Sequence, residues 1–119
     1  MNKKEIQILT EKFADSLAAQ NDSIKRHDPV SGNQFALEYI NAAKTLIRQG
    51  QDGINALAQL LHDPRRDVRG MAAAFLIPFR TDESKAVLKT LIEGEDMIAF
   101  ESKITLERWE RERRGIDLT

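Results

Sequence analysis

The sequence predicts an all-α protein, a right-handed α-α superhelix of about six helices in three antiparallel pairs, forming one domain over residues 1–119. Three observations carry that expectation. Apolar residues recur at helical spacing along nearly the whole chain and alternate in strand fashion almost nowhere. Turn-forming residues fall in short clusters, so consecutive helices are joined by links of a few residues and become antiparallel neighbours. A weak period of thirty residues joins Ala42, Ala43 and Leu46 to Ala72, Ala73 and Leu76, and these in turn to Ser102 and Leu106. A bundle and a solenoid both satisfy the first two observations. The third favours stacked pairs, because a small residue where helices cross, followed one turn later by leucine, suits units that bury their apolar faces only against one another.

The elements follow in order. Ile6, Leu9, Phe13 and Leu17 step by three or four and predict a first helix from about Lys3 to Gln20. The polar stretch "QNDSIKRHDPVSGN" then breaks the pattern. A second helix is expected from about Asn33, with Ala36, Tyr39, Ile40, Ala43, Leu46 and Ile47 on one face and Gly50 as its stop. Ile54, Leu57, Ala58 and Leu61 predict a short third helix. Val68, Ala72, Phe75, Leu76 and Phe79 predict a fourth, perturbed by Pro78. The fifth starts near Thr81 or Asp82, carries Val87, Leu88, Leu91 and Ile92, and ends at Gly94. The sixth carries Ile98, Ser102, Thr105, Leu106 and Trp109 and ends before Gly115.

Composition narrows the function classes. The hydrophobic fraction of 41% and charged fraction of 31% are those of a water-soluble helical domain with many solvated faces. Eighteen basic residues nearly cancel nineteen acidic ones, and a net charge of −1 provides no global field for nucleic acid or an anionic membrane. The absence of cysteine removes disulfides, thiolate nucleophiles and sulfur-ligated metal together. "MNKKEIQILTEKF" meets glutamate before any long apolar run, so it is not read as a secretory signal. No stretch approaches the roughly 18 apolar residues that a membrane-spanning helix needs. A cytoplasmic location is the expectation.

"LAQLLHDPRRDVRGMAAAFL" resembles a HEAT repeat: a first helix ending in Leu60 and Leu61, an Asp63-Pro64 turn, then Val68-Arg69 and the Ala72-Ala73 pair of the second helix. Together with "GNQFALEYINAAKTLIRQG" before it and "LERW" near the end, the chain resembles a small bacterial family, the domain of unknown function numbered twenty-nineteen, from the first helix through Trp109. The resemblance implies an armadillo-like α-α superhelix and no activity. The third pair departs from the HEAT pattern, with Ala99 where Arg69 would recur.

The polar residues of the repeat read as helix punctuation. Asp63 before Pro64 reads as an N-cap followed by proline at the first helical position, where its missing N–H costs nothing; such a cap is worth about 1 kcal/mol. "HDP" occurs at both His27 and His62, so two histidines and two aspartates invite a zinc or iron reading. A histidine before a capping aspartate is nevertheless an ordinary solvated helix end, and no metal or other cofactor is expected. Arg69 is expected to bridge to an acidic side chain of the adjacent turn, as this arginine tends to do in HEAT-like stacks. Arg65 and Arg66, cations in a first helical turn, oppose the macrodipole and gain nothing locally, which makes them candidates for partner binding. In "ERWERERRG", Glu107 with Arg111, Arg108 with Glu112 and Glu110 with Arg114 form i to i+4 pairs that explain the run as a stabilised terminal helix. Trp109 continues the core stripe of that helix, with partner contact as the alternative.

Catalysis has little support. There is no G-x-S-x-G elbow and no phosphate-binding glycine loop, and the carboxylates Glu93 and Glu95 fall at a solvated helix end. The expectation is a non-catalytic protein-interaction module that presents a curved surface from its second, fourth and sixth helices. By analogy alone, this includes small bacterial immunity or antitoxin-like proteins. Its partner-binding candidates are Arg65, Arg66, Arg69 and Trp109, its partner is an unknown protein, and its oligomeric state is monomer or weak homodimer. The alternatives are binding to a nucleic-acid backbone through Arg65, Arg66, Arg69 and Arg48, and an enzyme whose site the sequence hides.

Overall fold

The helical segments are α1 (Lys3–Lys25), α2 (Pro29–Arg48), α3 (Gln51–Ala58) continued by a 3-10 turn (Gln59–His62), α4 (Arg66–Leu76), α5 (Thr81–Leu91) and α6 (Met97–Asp117). They are those of a computed structural model that describes the backbone of residues 1–117 and side chains as far as Arg113. Among the described residues there is no strand, so the protein is all-α.

α1 starts where the Asn2 side chain accepts a hydrogen bond from the Glu5 N–H at 2.8 Å. It continues to Lys25 rather than stopping at Gln20, through a polar segment whose propensity argues against helix. Tertiary contact overrides propensity there: Ser23 is fully buried and the Asn21 amide donates to Asp67 on α4 at 2.8 Å. The end is a Schellman motif. The Asp28 N–H reaches the Ser23 carbonyl at 2.9 Å and the His27 N–H reaches Ile24 at 3.0 Å, with His27 held in the left-handed region at φ 58.

The first "HDP" then opens α2 as a capping unit. Asp28 accepts from the Ser31 N–H at 3.3 Å, and Pro29 occupies the first turn, so the helix begins at Pro29 rather than near Asn33. The second "HDP" behaves differently. Asp63 accepts from the Arg65 N–H at 2.9 Å, closing a turn between residues two apart, and the residue that caps α4 is Arg65, in extended conformation. The expectation that Asp63 caps a helix beginning at Pro64 is therefore corrected.

α4 ends at Leu76, whose carbonyl accepts the N–H groups of both Phe79 (2.8 Å) and Arg80 (2.7 Å). Pro78 has no N–H to continue the ladder. Phe79, expected on the core face, is 49% exposed, and Ile92 at the end of α5 is also exposed rather than core. α6 runs past Gly115 rather than ending before it.

Consecutive helices pack on one another, α1 on α2, α3 on α4 and α5 on α6; α4 also meets α5, α6 and α1. Ala42, Ala72 and Ser102, thirty residues apart, are all buried, each on the second helix of its pair. The centre of the core is Phe13, whose ring meets Tyr39 of α2 edge-to-face at 5.9 Å and Phe75 of α4 at 6.0 Å. The radius of gyration is 14.5 Å, slightly above the roughly 13.5 Å of a compact domain of this length.

Candidate functional site

A groove of about 400 Å³ opens where α1, α4 and α6 converge. Its floor is apolar, built from Leu17, Tyr39, Gly70, Leu88 and Ile98, with the small Ser102 beneath. Asn21 and Asp67 line one wall, while Glu101, Ile104 and Arg108 of α6 face them. The crossing is close because α4 carries glycine at its centre: a β-carbon on Gly70 would stand 3.3 Å from the Leu91 side chain and 3.5 Å from Ile98.

Asp67 is the electrostatic hub of the groove. It is buried, takes a two-pronged bond from Arg65 (Nε 3.0 Å, Nη2 2.9 Å), accepts from Asn21 at 2.8 Å and accepts from the Val68 N–H at 2.8 Å. Burial pushes its carboxyl up, but the bonds from Arg65, Asn21 and Val68 together with the Arg65 charge outweigh burial and leave it below the ordinary 3.8. Arg65 also lies 3.6 Å from Asp22 at the end of α1.

Arg66 points the other way, towards the link between α5 and α6. It donates to both oxygens of Asp96 (3.2 and 3.1 Å) and to the Leu91 carbonyl at 3.1 Å. Asp96 in turn accepts from the Ala99 N–H at 2.9 Å, capping α6. The hydrogen bonds from Arg66 and then from Ala99 hold its carboxyl below the ordinary value.

The expectation that Arg65 and Arg66 lack local partners is thus corrected: each is tied to an aspartate. Arg69 bridges a turn as expected, but its acceptors are the main-chain carbonyls of Asp63 (2.8 Å) and Pro64 (3.1 Å), not an acidic side chain. Trp109 lies half-buried against the core, with the Arg113 guanidinium 5.5 Å from the ring centroid. Its indole N–H is buried without an acceptor among the described residues. The three arginines and Trp109 do not form one patch: Arg65 folds onto Asp67 and towards Asp22, Arg66 onto the α5–α6 link, Arg69 onto its own turn, and Trp109 packs against the core.

The charge run of α6 also differs from expectation. Glu110 reaches across to Lys85 of α5 at 2.7 Å. Among the described residues, neither Glu107 with Arg111 nor Arg108 with Glu112 forms an ion pair, and the Arg114 side chain lies outside those residues.

The groove residues that sequence reasoning missed are Tyr39, taken only as core, and Glu101. Loss of hydration pushes the Glu101 carboxyl up. Burial, then the charge of Glu101, pushes the Tyr39 phenol up. Beside them stands an apolar stripe, Met97 (65% exposed), Phe100 (60%) and Ile104 (37%), on the outward face of α6. Ile24 of α1, 58% exposed, stands at the opposite edge of the groove. The spacing of Met97, Phe100 and Ile104 is a second helical stripe opposite the one that contains Ser102, Leu106 and Trp109, and it was readable as such.

Such a groove can take an apolar side chain on its floor and a hydrogen-bond donor at Glu101. His27 stands in the α1–α2 link and His62 ends the 3-10 turn after α3, and among the described residues no three His, Asp or Glu side chains gather within reach of a metal ion. Among the same residues, no helix is long and apolar enough to cross a membrane.

No family model matches the chain, and neither does any curated protein. Among solved structures it is similar to the crystal structure of the protein RPA1889 from Rhodopseudomonas palustris, at 20% identity over 89% of this chain and 88% of that one, with a TM-score of 0.83. At that identity the likeness is one of fold.

Proposed function

We propose that the chain is a non-catalytic protein-interaction module built from HEAT-like stacked pairs, and that it takes its protein partner in the groove between α1, α4 and α6. The observation that carries this reading is an apolar floor bordered by side chains a monomer has no reason to expose: Ile24 on one edge, Ile104 on the other, and Phe100 and Met97 beyond. Polar groups at the walls, Asn21, Glu101 and Arg108, provide orientation around that apolar centre. The same proposal places the chain in the bacterial family that its repeat resembles, and in the cytoplasm.

The intramolecular ties of the arginines weigh against a nucleic-acid backbone as ligand. Of Arg48, Arg65, Arg66 and Arg69, three already satisfy acceptors of the chain itself. Arg48 is then the one member of that set left for a phosphate, and its salt slope of about 1 is far too small for affinity at physiological salt.

Affinity capture from native lysate, with and without nuclease, tests the proposal. Ile24→Glu places a charge on the groove edge at an exposed position, so folding is expected to be untouched. The expected result is a nuclease-resistant protein partner that is lost in this variant. Capture unaffected by Ile24→Glu, or tight retention of duplex DNA at about 150 mM salt, would count against the proposal.

A further inference from the structure

We propose that the outward face of α6 pairs with α6 of a second copy of this chain, antiparallel about a two-fold axis at Ile104, with Glu101 of each copy set against the partner's Arg108. This rests on the reading of the groove and its α6 rim as an interaction surface, and names what covers that rim.

At about 100° per residue, Met97, Phe100, Ile104 and Arg111 fall in one stripe, turned away from the buried Ala99 and Ser102. Glu101 and Arg108 lie together on the groove-side flank of that stripe, one three residues before Ile104 and the other four residues after it. Among the described residues neither makes an ion pair within the chain.

That placement selects the orientation of a partner helix. A parallel copy, related by a two-fold axis along the helices, would carry its Glu101 and Arg108 to the opposite flank of the contact, out of reach of those of the first chain. An antiparallel copy, related by a two-fold axis through Ile104, keeps each flank on its own side and reverses the direction. It therefore sets Glu101 against the partner's Arg108 at both ends of the contact. Ile104 meets its own copy at the axis, and Met97 comes under the alkyl stem of the partner's Arg111. The stripe is self-complementary in one orientation only, and its carboxylate is one that loss of water already disfavours.

From Met97 to Arg111 the contact runs about 21 Å, roughly four helical turns. One helix pair of that length lies at the low end of specific interfaces, so association depends on concentration rather than being permanent.

Sedimentation equilibrium on the full chain tests this between about 10 μM and about 1 mM, the range in which so small a contact associates. The wild-type mass is expected to rise towards that of a dimer. Ile104→Asp, and independently the more exposed Phe100→Asp, should keep the chain monomeric with unchanged helical circular dichroism. Glu101→Arg alone and Arg108→Glu alone should each weaken association about tenfold or more, because each creates two like-charged contacts. Combined, they should restore it to within about threefold of wild type, since both contacts are then merely reversed. A wild-type chain that stays monomeric throughout, or a double variant no better than the singles, overturns the proposal. If dimerisation fails while Ile24→Glu still abolishes capture of a foreign protein, the inference falls alone. If the dimer forms but Ile24→Glu leaves capture intact, the reading of the groove falls and the dimer stands.

Discussion

Asp67 shows how one buried carboxylate ties three parts of the chain together. Its partners are Arg65 in the preceding turn, Asn21 on α1 and the N–H of Val68. Helical pairing rules could not find the first of these, because residues two apart do not share a helix face. The pair forms because Arg65 is outside the helix, extended at φ −84 and ψ 131, so its side chain can fold back on Asp67. Nothing local could find the second, forty-six residues away. Asp67→Asn is therefore expected to destabilise by about 1–3 kcal/mol, the range for leaving charged hydrogen-bond donors unmatched. The pH dependence follows from the direction of its shift. The folded carboxyl titrates below 3.8, so the unfolded chain binds the proton more readily; the stabilisation is complete well above 3.8 and is lost as pH falls below it through the folded value. Acid titration of the melting temperature should show this loss in the wild type and less of it in Asp67→Asn.

Helix existence was legible in the sequence, and helix ends were less so. Each of the six apolar stripes marks a helix, although Phe79 and Ile92 fall beyond the ends of α4 and α5, and the thirty-residue spacing of Ala42, Ala72 and Ser102 marks buried positions. The ends moved wherever tertiary contact outweighed local signals. α1 gained a turn because Asn21 and Ser23 found buried partners or places. "HDP" capped a helix at Asp28 but only a turn at Asp63, where a 3-10 segment and the extended Arg65 intervene. The groove residues were illegible for a related reason: Tyr39 and Glu101 meet only after α2 and α6 have packed. Close approach of elements offers a sharper test. A β-carbon on Gly53 of α3 would lie 1.7 Å from the Leu46 carbonyl oxygen of α2, whereas one on Gly32 would meet only Ser23, at 3.9 Å. In urea unfolding, Gly53→Ala should cost about 2–4 kcal/mol, because backbone rather than a movable side chain must yield. Gly32→Ala should be neutral or stabilising by up to about 1 kcal/mol, since alanine is the better helix former.

Across the molecule, the pairs are not energetically separate. Phe13 belongs to α1 yet touches Tyr39 of α2 and Phe75 of α4, and Arg66 of α4 reaches the cap of α6 at Asp96. Unfolding should consequently be one event. Fluorescence of Trp109, half-buried on α6, and circular dichroism of all the helices should trace superimposable urea transitions. Transitions that separate would mean that α6 leaves before the rest. Phe13 also bears on descent. A helical pair copied within this chain would be tolerated only where its insertion leaves the contacts of Phe13 whole. A copy inserted between α2 and α3 would draw Phe13 away from Phe75 and leave both rings facing an unrelated surface. A chain lengthened at that point is therefore expected to melt lower than its parent, a loss that calorimetry on such an insertion would read.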